Sequence, residues 1–314
     1  MKTTPTTFKS AFEEDVYKGL TSYPKFLLSK YIYDEKGDKL FQQIMDMPEY
    51  YLTRCEFNIL KSHTAAIAGS FNGPEGFDLI ELGAGDGKKT KILLKHLQEK
   101  NYDFKYLPID ISQHVLDELQ TSVNRELPGV QIAPQQGTYF KTLENLANLS
   151  QRKKVILFLG SNIGNLLHEN AIEFLRNIQQ AMDPEDMLFM GFDQKKHPQQ
   201  ILDAYNDPAG ITAAFNKNLL YRINRELDAN FDPEEFLHWE TYDPETGTAK
   251  SFLVSKIAQK VKVEKLDLEV KFNAWESIHT EISQKYDQEI IEWLAAQAGL
   301  QIETDFRDSE NRSE

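Results

Sequence analysis

The stretch DLIELGAGDGKKT, residues 78–90, decides how the chain is read. Leu79, Ile80 and Leu82 make a short apolar run with β-branched content, and beyond the glycines Ile92, Leu93 and Leu97 recur with charges between them, the spacing of an amphipathic helix. The order is strand, turn, helix. Glycines at 83, 85 and 87 let the turn take positive φ and let a ligand approach backbone with no Cβ in the way. Open α/β sheets bind ligands beyond the carboxyl ends of their strands, so residues 81–87 are the expected site.

The spacing is G-x-G-x-G with an acid, Glu81, two residues before the first glycine. A dinucleotide fingerprint reads G-x-G-x-x-G and rests a pyrophosphate on the following helix. Here the pattern suits S-adenosylmethionine (SAM), whose amino-acid moiety carries no pyrophosphate. The same glycines also serve ordinary structural turns, so the rest of the chain must bear on the choice.

A length of 314 residues with 40% hydrophobic content supports a sizeable core in one large domain or two smaller ones. Lys and Arg number 35 against 49 Asp and Glu, a net charge of -14, and no basic block stands out. Nucleic acid is therefore not the expected partner, because phosphate binding needs clustered cations. The one cysteine, Cys55, has no partner for an internal disulfide, and the seven histidines show no metal-ligand spacing. The first twenty residues lack the apolar core of a signal peptide, and no apolar run reaches the ~18 residues of a membrane span. The expectation is a cytoplasmic protein that binds a small molecule, with no metal and no membrane contact; oligomeric state is not legible.

In chain order, residues 1–60 precede the glycine turn and crowd aromatics into YIYDEKGDKLFQQIMDMPEYY, residues 31–51. Such stripes serve as core-facing helix surfaces or as a lid whose tyrosines pair an apolar ring with a polar tip. After the glycine helix, residues 104–112 read as a strand ending in Asp110, where a carboxylate can accept from ribose hydroxyls or simply precede a helix capped by Ser112. Residues 130–132 are a third strand, leading to GTYF at 137–140. Residues 154–159 form an apolar run of the kind a strand buried on both faces needs, and open into GSNIGN, residues 160–165. Asn165 there can both donate and accept. A helix over 169–182 and a strand over 187–192 complete the alternating units. From Gln194 the alternation stops: helices give way to strands expected at 236–242, 249–263 and 266–272, and residues 274–286 lead back to a helix at 287–298 and a last strand at 300–306. The division expected is a SAM-binding domain of residues 61–195 with 286–314, and a substrate domain of residues 1–60 with 196–285.

YIYD (31–34), MPEYYLTRCE (47–56), ELGAGDGKKT (81–90), PIDIS (108–112), FLGSNIGNL (158–166), AYNDPAGITAAFN (204–216), NRELDANFD (224–232) and TEISQKY (280–286) occur in one unbroken order. In this the chain resembles the SAM-dependent histidine Nα-methyltransferases of ergothioneine biosynthesis and their relatives on other aromatic amino acids. The resemblance, from about residue 15 to 298, implies a class I methyltransferase (Rossmann-like) α/β sheet with an inserted α+β substrate-binding domain. It implies cofactor-binding positions at Tyr33, Gly83, Lys89 and Asp110. Tyr50, Asn165 and Tyr205 match residues that grip the substrate's amino and carboxylate groups, Asn165 and Tyr50 being the candidate catalytic positions. Glu281 and Ser283 match the pair that reads the imidazole. Two residues apart on an extended segment, they point to one side, where a carboxylate and a hydroxyl can serve both ring nitrogens.

The implied reaction is methylation of the α-amino group of free L-histidine, up to the trimethyl betaine. Three departures from the family pattern stand out. Ser251 replaces a methionine, making one wall of the ring pocket smaller and more polar and leaving open another aromatic amino acid such as a tryptophan derivative. Thr138 replaces an acid that contacts adenine. The chain ends in DSENRSE where relatives continue into a closing strand. A non-catalytic SAM-binding protein is the remaining alternative; it would keep Gly83 and Asp110 without the substrate-gripping residues.

Overall fold

The computed structural model describes residues 8–71, 75–139, 142 and 152–308. In chain order these hold α1 (Ala11–Thr21), β1 (Lys25–Phe26), α2 (Glu35–Met45), α3 (Tyr51–Phe71), β2 (Phe77–Leu82), α4 (Thr90–Glu99), β3 (Phe104–Asp110), α5 (Gln113–Glu126), β4 (Gln135–Gln136), β5 (Lys153–Phe158), α6 (His168–Gln180) and β6 (Met187–Met190). There follow α7 (Pro198–Tyr205), α8 (Ile211–Leu227), β7 (Phe236–Asp243), β8 (Thr248–Ser255), β9 (Gln259–Val263), β10 (Leu268–Phe272), β11 (Ser277–Gln284) and α9 (Gln288–Gln297). The chain divides into two compact units, Met1–Tyr51 with Lys195–Lys285, and Leu52–Gln194 with Tyr286–Glu314.

The second unit is a five-stranded, wholly parallel sheet in the order β4-β3-β2-β5-β6. Every residue of β2 is buried, as a strand covered on both faces requires. Its alternate side chains feed two cores. Phe77 and Leu79 pack with α3, α4 and α5 through Leu60, Phe71, Leu93, Leu97 and Leu119, whereas Ile80 and Leu82 pack with α6 and α9 through Phe174, Ile178 and Leu294. Each fully buried leucine here contributes about 1.5–3 kcal/mol. Because chain order runs outward from β2 in both directions, the sheet is Rossmann-like, with its switch point where β2 and β5 lie side by side.

The first unit carries a four-stranded sheet, β1-β11-β8-β7, and the hairpin β9-β10. Phe236, Leu253 and Ile278 on the sheet's inner face meet Phe215, Leu219 and Ile223 of α8, with Val16 and Leu20 of α1 in the same core. β7 alternates buried and exposed residues from Phe236 to Thr241, the mark of a sheet covered on one side.

Several sequence expectations shift. The strand expected at 249–263 is two, β8 and β9, and residues 300–306, expected as a last strand, form none. Around 130–132 the structure has an isolated bridge at Ile132, with the paired residues later, at β4. The boundary expected after residue 60 falls instead between Tyr51 and Leu52, because α3 is one continuous helix whose Leu60, Ile67, Ala68 and Phe71 belong to the parallel sheet's core. Phe140, in the GTYF segment, and the terminal residues 309–314 lie outside the described residues.

Candidate active site

In the second unit, Gly83 follows β2 with φ of 73° and donates its N–H to the Ile109 carbonyl (2.9 Å), tying the turn to the end of β3. A Cβ on Gly83 would stand 2.7 Å from the Tyr139 hydroxyl, so both its dihedral and its surroundings demand glycine. Gly85, φ 52°, has nothing within 4 Å of where a Cβ would be: the turn leaves open space above its middle residue. Glu81, by contrast, does not face that space. It is 3% exposed, accepts from Thr90 Oγ1 at 2.5 Å and from the Tyr106 hydroxyl, and its pKa is pushed up to about 7 by burial against those two donors. The acid before the glycines is a buttress that fastens α4 and β3 beneath the turn.

Asp110 ends β3 half-buried, with Oδ1 accepting from Ser112 N at 2.9 Å, and Ser112 in turn caps α5. The Tyr139 hydroxyl over Gly83 is raised to about 12, by burial first and then by the Asp110 charge. Lys89, at the start of α4, pairs through Nζ with Glu56, whose other oxygen accepts from the Gly160 N–H at 2.7 Å. Glu56 thus latches the glycine turn to the loop after β5. In that loop Gly160 and Ser161 are both left-handed, φ 78° and 54°, which glycine adopts freely but which strains Ser161, as happens at functional sites. Asn165 is exposed at the end of the 3-10 turn Asn162–Asn165, on the same carboxyl edge of the sheet as Gly83. An acid at the end of β3, a glycine turn at the switch point and open space beside Gly85 thus lie together at the edge where open parallel sheets bind ligands.

In the first unit, Tyr33, Tyr50, Tyr205, Glu281 and Ser283 come together. Tyr33 is held by its neighbours: Asn218 Nδ2 donates to the Ile32 carbonyl (2.9 Å) and to Asp34 Oδ1 (2.8 Å), and Asp34 caps α2 through Gly37 N. Its ring meets Phe41 and Phe215 edge-on, and its hydroxyl is driven well above the ordinary tyrosine range by burial and then by Glu281. The Tyr50 ring stands perpendicular to that of Tyr205, 6.1 Å between centroids. Tyr205 ends α7, its carbonyl accepting from His238 Nε2 (3.0 Å) on β7. Asp207, two residues on, receives the N–H groups of Ile211 and Thr212 and so starts α8.

Glu281 owes its direction to a β-bulge. The register of β11 against β8 slips between His279 and Glu281, so that Glu281 lies opposite Ser251 and Ser283 opposite Ala249. Thr280 is the extra residue, its hydroxyl 2.6 Å from Asn216 Oδ1 in α8. Glu281 and Ser283 share one face, as their spacing predicts, and the slip makes it the face of Ser251 and Ala249. Burial raises the Glu281 carboxyl to about 7 against the opposing pull of Lys285.

Two members of this cluster are absent from the sequence reading. Lys285 is fully buried and donates 2.7 Å hydrogen bonds to both the Tyr205 hydroxyl and Ser283 Oγ, which are themselves 2.8 Å apart. Its position two residues beyond Ser283 was the available signal. Glu240 on β7 accepts from Ser251 Oγ at 2.6 Å; it sits at an inward position of the alternating run FLHWETYD, an acid where an apolar residue is expected. Ser251 is therefore not an empty polar wall, since its hydroxyl is committed to Glu240. Among the described residues no cluster of His, Cys, Asp and Glu could hold a metal ion, and no helix is long and apolar enough to cross a membrane.

Comparison with known proteins bears on the chain as a whole. The model of a family described as histidine-specific methyltransferase, SAM-dependent, matches residues 12–314. A histidine N-alpha-methyltransferase from Mycolicibacterium smegmatis is 37% identical over 290 residues, covering 92% of this chain and 89% of that protein. One from Mycobacterium tuberculosis is equally similar over the same shares. Ergothioneine biosynthesis protein 1 of Schizosaccharomyces pombe is 32% identical over 239 residues, 73% of this chain and 31% of that longer protein.

Proposed function

Because the chain belongs to the family of SAM-dependent, histidine-specific methyltransferases, we propose that it methylates the α-amino group of free L-histidine, up to the trimethyl betaine, as a step of ergothioneine biosynthesis. It is a SAM-dependent N-methyltransferase with a class I methyltransferase sheet, and the names of its bacterial and fungal relatives support the substrate and the pathway. The observation that carries the substrate reading is Glu281 beside Ser283 on one strand face, with Lys285 and Tyr205 locking Ser283 in place.

A carboxyl group whose pKa lies at about 7 ionises readily when a ring N–H or an imidazolium arrives beside it. Ser283 accepts from Lys285 and keeps capacity for a second ring nitrogen. Tyr50, Tyr205 and Asn165 are the residues proposed to orient the amino and carboxylate groups. Gly83, Asp110 and Lys89 are proposed to hold the donor, Gly83 by its bare backbone, Asp110 by a carboxylate for ribose hydroxyls, and Lys89 by fixing the turn through Glu56. Tyr33 is the further donor-side position that the family pattern implies.

Bound SAM supplies an electrophilic methyl group on a sulfonium. The chain's own part is orientation, which can supply as much as ~7–11 kcal/mol, and acceptance of the amine's proton, since only the neutral amine is nucleophilic. Methylated products become quaternary ammonium ions, which tyrosine faces such as those of Tyr33 and Tyr50 attract. Incubation with SAM and each free amino acid, read by mass spectrometry, tests the proposal. Methyl increments on histidine alone are expected; methylation of a tryptophan derivative in preference to histidine, or of no amino acid, would overturn it.

A further inference from the structure

Glu240, Ser251 and Glu281 form one row across β7, β8 and β11: Glu240 pairs with Ser251, and Ser251 with Glu281. Directly paired residues of neighbouring strands share a face, and the Ser251–Glu240 hydrogen bond requires it here. Strands stand about 4.8 Å apart, so the two acid positions are about 10 Å apart at the backbone, a gap that two glutamate side chains with a small ring can fill. Glu240 is 8% exposed, and its Oε1 is buried with no hydrogen-bond partner, although Oε2 takes the Ser251 hydroxyl. A buried carboxyl oxygen left without a donor is costly, and few survive without a use. Lys285 spends two donors on Tyr205 and Ser283. Burial, and after it the Glu281 charge, raise the Glu240 pKa to about 8, with Ser251 opposing.

We propose that Glu240 is a further specificity-determining residue: anchored by Ser251 in the row that holds Glu281, it offers Oε1 to a ring N–H of the amino-acid substrate. The site then selects a side chain that presents two nitrogens and turns away an aryl ring that presents one or none. This rests on the histidine reading and reverses the consequence first drawn from Ser251. The serine admits a carboxyl that a larger apolar ring would leave unpaired, so it narrows the choice of substrate.

The test compares wild type, Glu240→Gln, Glu240→Leu and Ser251→Ala in steady-state methylation of L-histidine and of 3-(2-thienyl)alanine, whose five-membered ring has no N–H, at saturating SAM. Thermal unfolding of each variant serves as the control for folding. Glu240→Gln is expected to raise KM for histidine about tenfold or more, with kcat within about threefold and thienylalanine kinetics unchanged. Glu240→Leu is expected to lower KM for thienylalanine. Ser251→Ala keeps the carboxyl but frees it, and is expected to cut the histidine preference about threefold; it decides the matter if the Glu240 variants fail to fold. A histidine-to-thienylalanine ratio within twofold of wild type in folded variants overturns the role of Glu240 and leaves the histidine reading intact. A wild-type protein that does not methylate histidine overturns both.

Discussion

A carboxyl group placed by a bulged strand and a glycine that cannot bear a Cβ are the two residue-scale features on which the proposed chemistry turns. Glu281 has no side-chain hydrogen bond among those the structure gives, and its ionisation is held back by burial alone, against Lys285. Replacing it with glutamine keeps the shape but removes the charge. A hydrogen bond to a charged group contributes about 1.5–3 kcal/mol, so Glu281→Gln is expected to raise KM for histidine on the order of ten- to a hundredfold while SAM binding, measured by calorimetry, stays unchanged. Gly83→Ala inverts the pattern. It forces a side chain into positive φ and against the Tyr139 hydroxyl, at a cost of about 1–3 kcal/mol. Weaker SAM binding with lowered thermal stability is the expected result, and unchanged affinity would mean that the turn is not the donor's seat.

At the scale of elements, the bulge in β11 and the latch at Glu56 do what no single side chain does. A one-residue slip of register sends every later side chain to the opposite face. Inserting one alanine between Thr280 and Glu281, with the bulge kept, should therefore move Glu281 opposite Lys250 and turn it and Ser283 to the other face, abolishing histidine methylation while SAM still binds. Retention of turnover in the insertion variant would show that the register set at the bulge does not place Glu281. Glu56 joins α3 to both the start of α4 and the loop after β5. Glu56→Ala leaves Lys89 without this partner and the Gly160 N–H unbonded, and an expected loss of about 1–3 kcal/mol should appear as weaker SAM affinity together with a lower urea midpoint.

For the whole molecule, the buried acids set how stability depends on pH. Glu81 and Glu240 have folded pKa values of about 7 and about 8, above the 4.5 of an unperturbed glutamate. The native state therefore holds their protons longer than the unfolded chain does, and stability declines as pH rises from about 4.5 to about 8. For Glu81 the full effect is on the order of 3 kcal/mol at alkaline pH. Urea unfolding should give a lower free energy at pH 8.5 than at pH 5.5, with a shallower decline in Glu81→Gln; a rise in stability across that interval would contradict the assignment. With net charge -14, self-repulsion acts in the same direction, so the comparison with the variant, not the wild-type slope alone, carries the test.

The local pattern of residues was enough to determine the parallel sheet, the glycine turn at its edge, the acid ending β3 and the face shared by Glu281 and Ser283, because each depends on periodicity or on spacing within a few residues. Only the tertiary structure decided what those residues meet. Glu81 looked like part of the site and is a buttress, since Thr90 and Tyr106 reach it from α4 and β3. Ser251 read as a smaller, more polar wall of the pocket and carries Glu240, eleven residues away in sequence but directly opposite in the sheet. Glu56 meets Lys89 and Gly160, and Lys285 meets Tyr205, across 33, 104 and 80 residues of chain, separations that local periodicity does not register. Residues 300–306, read as a strand with Leu300, Ile302 and Phe306, find no ladder to join. Hydrogen-bond partners and burial are properties of pairs distant in the chain, and a one-dimensional pattern does not encode them.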